Sequence, residues 1–332
     1  MTERTMKVKF GEKMSTSRTL IGGSGQGTLL GGLQYIVSCN DVAGDVDSAD
    51  KLHYFDDLEI LELIMLADIL GEYNFHEHIA SDIGTNQKYL SPKHLKMQPH
   101  LDNIQSWTES NKMKLNYEKS NFIIFTRAQT DFTTRLTLGN NNLEQVSAIK
   151  LLGVWITEDL SWDLNCKEMI KKAYARVSLL TKLKYVGLKT EDLIDVYVLF
   201  IRSCVEYCSV VYHSSLTQQQ SEMLERVQKV CLRVLLNEMY VDYESALEMC
   251  SLTTLFSRRV IRSKNFCLKA IKHKKHKNMF PLSKTYTENI HNVRNPEKFT
   301  VNFASGETYK KSSIPYLQRT LNSIFVKKPG LP

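Results

Sequence analysis

The hydrophobic pattern of the chain changes near residue 158, and this change constrains the fold more than any other feature. Before it, short apolar runs at 122–125, 136–138 and 151–156 are typical of strands. After it, apolar residues recur at steps of three and four, which predicts amphipathic helices. The first such set comprises Leu193, Val196, Tyr197, Phe200, Ile201, Cys204, Cys208 and Val211. We therefore predict an α+β chain, in which a small antiparallel sheet with helices precedes an all-helical part.

Local signals place further elements on either side of this change. The mixed pattern around Gly11 predicts a β-hairpin, and the apolar spacing in 98–114 predicts a helix. Thr217 with Gln220 forms a capping-box pattern, which predicts that a helix begins there. Another helix is predicted over about 255–271.

The predicted organisation has three segments with uneven charge. A mixed domain covers 1–157, a helical domain with a basic C-terminal helix covers 158–280, and a basic mixed tail covers 281–332. Residues 1–150 carry 15 Lys/Arg against 19 Asp/Glu, whereas residues 151–332 carry 28 against 17. An acidic half joined to a basic half indicates a polyanionic partner for the second half. The alternative is an ordinary solvated surface.

Other features of the sequence exclude whole classes of protein. No apolar run is long enough to span a bilayer, and the first residues lack the apolar core of a secretory signal, so we expect no membrane partner. Seven singly spaced cysteines make an odd total, which favours a reducing compartment over a disulfide framework. We expect an intracellular protein of the nucleus or cytoplasm, and the oligomeric state stays open.

An adjacent acid pair, Asp56-Asp57, stands between two short apolar runs in 52–60. This pattern predicts two strands joined tightly around a polar pair, which holds two like charges close together. Divalent cations offset such repulsion, as in two-metal phosphoryl transfer, so the pair indicates Mg²⁺, with Mn²⁺ as a substitute. The alternative is two acids in an exposed turn.

The order of motifs around this pair resembles the reverse transcriptases of non-LTR (LINE-type) retrotransposons. The run 22–31 resembles the motif G-x-P-Q-G-x-x-L, with Gly25 where the family usually has proline. Residues 54–57, Tyr-Phe-Asp-Asp, match the motif Y-x-D-D. Residues 115–120 resemble L-N-x-x-K-S/T, and residues 151–154 resemble the F/L-L-G strand of the primer grip. Residues 158–236 are similar to the helical thumb of the same polymerases.

The resemblance implies a role for each matched position. Asp56 would bind the catalytic metal with Asp57 as a supporting acid, and Lys119 would lie near the leaving pyrophosphate. Leu152 and Gly153 would help to place the primer end. Template and nucleotide contacts would come from Gly23, Gly25, Gln26, Gly27, Tyr54 and Phe55. The alternatives are a plain strand bulge at Gly153 and a solvated loop lysine at Lys119.

The function implied by the resemblance is RNA-directed DNA synthesis on an RNA template and DNA primer from deoxynucleoside triphosphates. The family carries another essential aspartate well before the Gly-rich motif. Here 21 residues precede Gly22, and the first aspartate of the sequence is Asp41. We therefore expect that the isolated chain does not polymerise. The alternative function is a non-catalytic nucleic-acid-binding remnant or a domesticated interaction module.

A basic segment at 258–277 holds nine Lys/Arg and no acid. Such a segment can neutralise several phosphates, which predicts salt-sensitive binding without sequence preference. The predicted nucleic-acid contacts are Arg258, Arg259, Lys272, Lys274, Lys275 and Lys277. The alternatives are a nuclear-localisation signal at 272–277 and a helix face that only increases solubility.

Overall fold

The computed structural model forms two compact units, Met1–Ser147 and Ala148–Pro332. It describes residues 4–7, 9–10, 13–20, 51–54, 57–60, 79–81, 87–90, 97–126, 131–287, 298–304 and 306–325. Helices and small sheets occur together, in keeping with the predicted α+β class.

The described part of the first unit consists mainly of short paired strands. These strands are β1 Arg4–Met6, β2 Lys9–Phe10, β3 Lys13–Met14, β4 Arg18–Leu20, β5 Lys51–Tyr54, β6 Asp57–Ile60, β7 Ile79–Ser81, β8 Gln87–Leu90, β9 Asn121–Phe122, β10 Asp131–Thr134, β11 Thr137–Leu138, β12 Asn141–Asn142 and β13 Glu144–Gln145. The β2–β3 hairpin brackets position 11, as predicted. The sheets are not purely antiparallel, because β8 pairs in parallel with β10, and β9 with β13.

One helix, α1 (Met97–Ser110), packs against strand β11 in this unit. The side-chain amide of Gln98 accepts from the Thr137 backbone N–H at 2.9 Å and donates to its carbonyl at 3.0 Å. The amide thereby replaces a missing neighbouring strand for this residue. The predicted helix is confirmed, although it ends at Ser110 rather than at residue 114.

The second unit begins with a β-hairpin and continues with helices. The hairpin strands are β14 Ala148–Leu151 and β15 Val154–Thr157, and the helices are α2 Asp163–Tyr185, α3 Thr190–Val196, α4 Ser203–Glu206, α5 Ser209–Tyr212, α6 Gln218–Leu236, α7 Tyr243–Met249, α8 Leu255–Ala270, α9 Lys284–Thr287, α10 Glu307–Lys311 and α11 Ser313–Phe325. The hairpin contacts α2, where the Trp155 N–H donates to Asn165 Oδ1 at 3.2 Å. The compact unit therefore starts at Ala148, earlier than the boundary predicted after residue 157.

Helices α2 and α6 pack side by side and form the main core of the second unit. Its fully buried members include Ala173, Leu180, Leu193, Tyr197, Ile201, Leu224, Val227, Leu232 and Leu235. The predicted capping box is present, since Thr217 Oγ1 accepts from the Gln220 N–H and Gln220 Oε1 accepts from the Thr217 N–H. This exchange satisfies two backbone donors that the start of a helix otherwise leaves without partners.

The predicted continuous helix face from residue 193 to residue 211 is interrupted. A π-helical segment, Tyr197–Arg202, follows α3. The helical path is then interrupted at Cys208, whose φ of 51° lies in the left-handed region. The Tyr212 hydroxyl donates to the Val205 carbonyl at 2.9 Å across this break. Hydrophobic periodicity did not predict the break, because apolar residues continue at steps of three and four across it.

The last segment, predicted as a separate tail, packs on α8 through α11. A small core joins Cys267, Ala270, Phe280, Phe299, Leu317 and Leu321. The Asn322 side chain accepts from the Phe299 N–H and donates to its carbonyl, both at 2.9 Å. The described part of this segment therefore belongs to the helical unit.

Candidate nucleic-acid interface

The turn of the β14–β15 hairpin consists of Leu152 and Gly153, the two positions predicted for the primer grip. Leu151 pairs with Val154, and the two residues between them have positive φ angles of 45° and 87°. Positive φ at both central positions is typical of a type I′ turn, which suits the twist of two antiparallel strands. Gly153 is therefore a turn residue, so the alternative of a strand bulge is wrong.

Tyr207, which is 52% exposed, holds this turn on the helical unit. Its hydroxyl donates to the Leu152 carbonyl at 2.8 Å. A Cβ atom at Gly153 would lie 3.3 Å from Tyr207 Cε1, so a larger residue would meet the ring as well as strain the backbone. The turn is thus fixed in position, while the Leu152 side chain stays 42% exposed.

Glu206 precedes Tyr207 in the chain and forms ion pairs with three arginines. Its own side chain is only 2% exposed. Arg258 donates from Nε to Oε1 and, at 3.1 Å, from Nη2 to Oε2. Arg262 Nη2 lies 2.9 Å and Arg202 Nε 3.8 Å from Oε2. The hydrogen bond to Glu206 raises the pKa of Arg258, whereas burial lowers the pKa of Arg202. One carboxylate therefore faces three guanidinium groups, which leaves an excess of positive charge.

Two of the predicted nucleic-acid contacts require correction. Arg259 is 0% exposed, and its guanidinium donates to His213 Nδ1 at 3.4 Å and to Ser221 Oγ at 2.7 Å. Its prediction as a phosphate contact is wrong, because the side chain points into the protein. Arg258 forms an ion pair with Glu206, so its charge is not that of a free surface cation.

The spacing of small and apolar residues along α8 indicates that Arg259 lies on the buried face of the helix. The buried residues of this helix recur at steps of three and four and are Leu255, Arg259, Ser263, Cys267 and Ala270. Arginine therefore occupies a core position on an otherwise apolar or small-residue stripe. The high local density of basic residues concealed this pattern, since charge alone does not distinguish the two faces of a helix.

The four predicted lysines, Lys272, Lys274, Lys275 and Lys277, are all exposed. They follow α8 in a segment of turns that leads to a short 3₁₀ helix, Lys277–Met279, so the basic run does not continue the helix. In the same segment the rings of His273 and His276 stack with centroids 4.5 Å apart. No described acid lies within ion-pair distance of these lysines. They form the accessible part of the predicted basic surface.

Lys119 lies at the end of a 3₁₀ turn, Tyr117–Lys119, and is exposed. Asn116 Oδ1 accepts from the Lys119 N–H at 3.3 Å, and Ser120 Oγ donates to the Asn116 carbonyl at 2.9 Å. Hydrogen bonds of the Asn116 and Ser120 side chains therefore stabilise the backbone turn that carries Lys119.

Strands β5 and β6 form the hairpin predicted around the acid pair. They pair antiparallel, with Tyr54 opposite Asp57. Phe55 and Asp56 lie outside the described residues, as do Gly23, Gly25, Gln26 and Gly27. The structure consequently does not test the Mg²⁺ prediction, and the residues that it describes contain no group of three or more metal-ligating side chains.

Comparisons with known proteins found no family model, no curated protein and no solved structure that matches this chain. None of the helices in the described ranges is long and apolar enough to cross a bilayer. The interface thus rests on its own geometry. It combines an exposed hairpin turn that Tyr207 anchors, an arginine-rich cluster around the adjacent residue Glu206, and four exposed lysines in one short segment.

Proposed function

We propose that this chain is part of an RNA-directed DNA polymerase of the non-LTR type, in which the helical unit Ala148–Pro332 holds the template–primer duplex as a thumb. In this proposal the first unit belongs to the palm, and Asp56 and Asp57 belong to its Mg²⁺ site. The order of the four sequence motifs supports the assignment.

The observation that carries the proposal is the Leu152–Gly153 turn. A primer grip must present a short, rigid piece of backbone at a surface, because a mobile loop would not place the primer end. Here the turn is of type I′, and the Tyr207 hydroxyl and ring anchor it. Its residues, Leu152 and Gly153, are those to which the motif resemblance gives the role of primer grip.

The exposed lysines supply a second requirement, which is attraction to phosphates. Each lysine that neutralises a phosphate releases condensed counterions, so binding weakens steeply as salt concentration rises. Lys272, Lys274, Lys275 and Lys277 stand within one short, exposed segment without a described acidic partner. This arrangement favours contact with the duplex backbone over recognition of base edges.

The binding test uses the full chain and a fluorescein-labelled RNA–DNA hybrid, with affinity measured by anisotropy over a range of KCl concentrations. The variant Lys274→Glu/Lys275→Glu/Lys277→Glu should lower the slope of log K against log [KCl] by about 2 to 3. The control is Lys171→Glu/Lys172→Glu/Lys182→Glu, which changes three exposed lysines of α2 by the same charge. Equal slopes for the two variants would refute binding through the basic segment.

The second candidate is a nucleic-acid-binding module without catalysis. The helical unit favours it because this unit has a large core of its own. Primer extension with Mg²⁺ on the same hybrid gives one decisive outcome, because synthesis that Asp56→Asn abolishes would establish the polymerase. Absence of extension is expected of the isolated chain under both candidates. Mg²⁺-dependent binding of a deoxynucleoside triphosphate that Asp56→Asn weakens then supports the polymerase, and its absence favours the module.

A further inference from the structure

A small pocket opens at the start of α6. Its volume is about 290 Å³, at the lower end of the range for small-molecule sites. It is lined by His213, Leu216, Thr217, Gln218, Ser221, Glu222 and Phe256. The lining contains several polar side chains, and Leu216 and Phe256 supply apolar surface.

His213 contributes a hydrogen-bond donor to this pocket. The residue is only 7% exposed, and its Nδ1 accepts from Arg259 Nε at 3.4 Å. Since Nδ1 accepts, the ring proton of the neutral form resides on Nε2. No described residue pairs with Nε2, although the ring lines the pocket. The edges of Phe256 and Tyr316 hold the ring in place.

Burial, followed by the positive charge of Arg259, lowers the pKa of His213 to about 4. The imidazole is therefore neutral near pH 7, with one donor and one acceptor nitrogen. The acceptor nitrogen is taken by Arg259. The group that remains for a ligand is a donor only.

Ser221 contributes a second donor for the same reason. Its Oγ accepts from Arg259 Nη2 at 2.7 Å, which leaves the hydroxyl proton free to turn toward the pocket. Gln218 and Ser221 belong to the first turns of α6, a helix of 19 residues. The positive end of this helix dipole therefore adds to the attraction for negative charge.

Arg259 provides a buried positive charge directly behind this wall. Among the described residues no carboxylate lies within 4.0 Å of its guanidinium, and the guanidinium is 6.0 Å from the centroid of the Phe256 ring. A buried cation without a close counterion is costly and favours an anion nearby. Glu222 opposes this effect at the rim. Its carboxylate accepts from Gln218 Nε2 at 2.8 Å and is exposed, so solvent screens its charge.

We propose that this pocket binds the carboxylate of a small organic monoanion with an aromatic or apolar stem. The oxygens accept from His213 Nε2–H and the Ser221 hydroxyl, and the stem lies against Leu216 and Phe256. A monoanion is favoured over a dianion because Glu222 stands at the rim and the described donors are few. This inference does not depend on the proposed nucleic-acid function.

The test is isothermal titration calorimetry of the full chain with phenylacetate, with phenylacetamide as a neutral analogue and inorganic phosphate as a dianion. We expect phenylacetate to bind at least about tenfold more tightly than phenylacetamide, since a hydrogen bond to a charged group exceeds one to a neutral group by that order. Comparable affinity for the amide, or tighter binding of phosphate, would overturn the assignment.

The informative variant is Ser221→Ala, which removes one donor to the ligand together with the acceptor of Arg259 Nη2, while the contact between Arg259 and His213 remains. We expect phenylacetate affinity to fall by about tenfold. Ser178→Ala, an exposed serine of α2, serves as the matched control and should leave the affinity unchanged. Unchanged affinity in Ser221→Ala would show that the carboxylate does not bind at this wall.

Discussion

The two units of the molecule are built in different ways. In the second unit, α2 and α6 bury a continuous core in which many side chains have no exposure. In the first unit, the buried hydrophobic side chains among the residues with described burial are Ile104, Leu136 and Leu138. Its strands are short, and most pair with a single partner. A two-stranded sheet satisfies half of its backbone groups and buries little apolar surface, so it is marginal without further cover.

The two units therefore differ in how their backbone hydrogen bonds are made: within each helix in the second unit, and between separate strands in the described part of the first. A helix makes its backbone hydrogen bonds within itself and needs only one apolar face to pack. A strand depends on a partner and on whatever covers the sheet. The described residues therefore lead us to expect a second unit that resists unfolding on its own and a first unit that exchanges its amide protons more readily.

The largest effect should come from Glu206→Ala in the second unit. Removing the buried carboxylate leaves Arg202, Arg258 and Arg262 without their common partner. The free energy of unfolding should fall by about 3–5 kcal/mol. Urea unfolding followed by circular dichroism measures this change.

The control is Glu307→Ala, whose carboxylate pairs with Lys310 at the surface and is 68% exposed. This variant should change the free energy of unfolding much less, because solvent screens an ion pair at the surface. Equal effects of the two substitutions would mean that the arginine cluster does not stabilise the second unit.

A core substitution tests whether the two units unfold separately. Leu235 is fully buried, so Leu235→Ala should destabilise the second unit by about 3 kcal/mol. Hydrogen exchange with mass spectrometry should show faster exchange in peptides of α2 and α6 and unchanged exchange in peptides of α1. Faster exchange in α1 as well would show that the units are coupled. The matched control is Leu179→Ala, because Leu179 is 47% exposed.

The buried histidine predicts a pH dependence of stability confined to the second unit. His213 has a pKa of about 4 in the folded protein against 6.5 as its ordinary value, so the unfolded chain binds the proton more tightly. Stability is thus complete above about pH 6.5 and decreases as pH falls toward 4, by about 3 kcal/mol in total. The measurement is urea unfolding at a series of pH values.

His213→Gln should remove this part of the pH dependence, whereas Ser221→Ala should retain it because the titrating ring is unchanged. A pH profile that His213→Gln leaves as steep as before would contradict the assignment to this ring.

The smallest effect concerns the hairpin turn. Tyr207→Phe removes the hydrogen bond to the Leu152 carbonyl and should lower the free energy of unfolding by about 1 kcal/mol. Thermal unfolding provides the measurement, with Tyr185→Phe at a 93% exposed position as the control. If the proposed primer grip is correct, Tyr207→Phe should also weaken binding of the RNA–DNA hybrid, and Tyr185→Phe should not.

Much of the candidate site could be predicted because its residues follow one another in the chain. The hairpin around the acid pair, the capping box at Thr217 and Gln220, and the exposed lysines after α8 are local features. The roles drawn from the motif resemblance remain predictions. The burial of Arg259 was missed because the density of basic residues concealed the spacing of the buried face, and its partners His213 and Ser221 lie far from it in sequence.

The class of the elements, the change from strands to helices and the start of α6 could all be predicted from the order of the amino acids. These depend on hydrophobic period and on hydrogen bonds between residues a few positions apart. Three features became visible in the folded chain: Glu206 pairs with three arginines, Tyr207 anchors the Leu152–Gly153 turn, and Arg259 lies behind the pocket wall. Each of these depends on residues that are far apart in the sequence. For Glu206 and Arg259, burial makes the pairing of charges and donors energetically decisive.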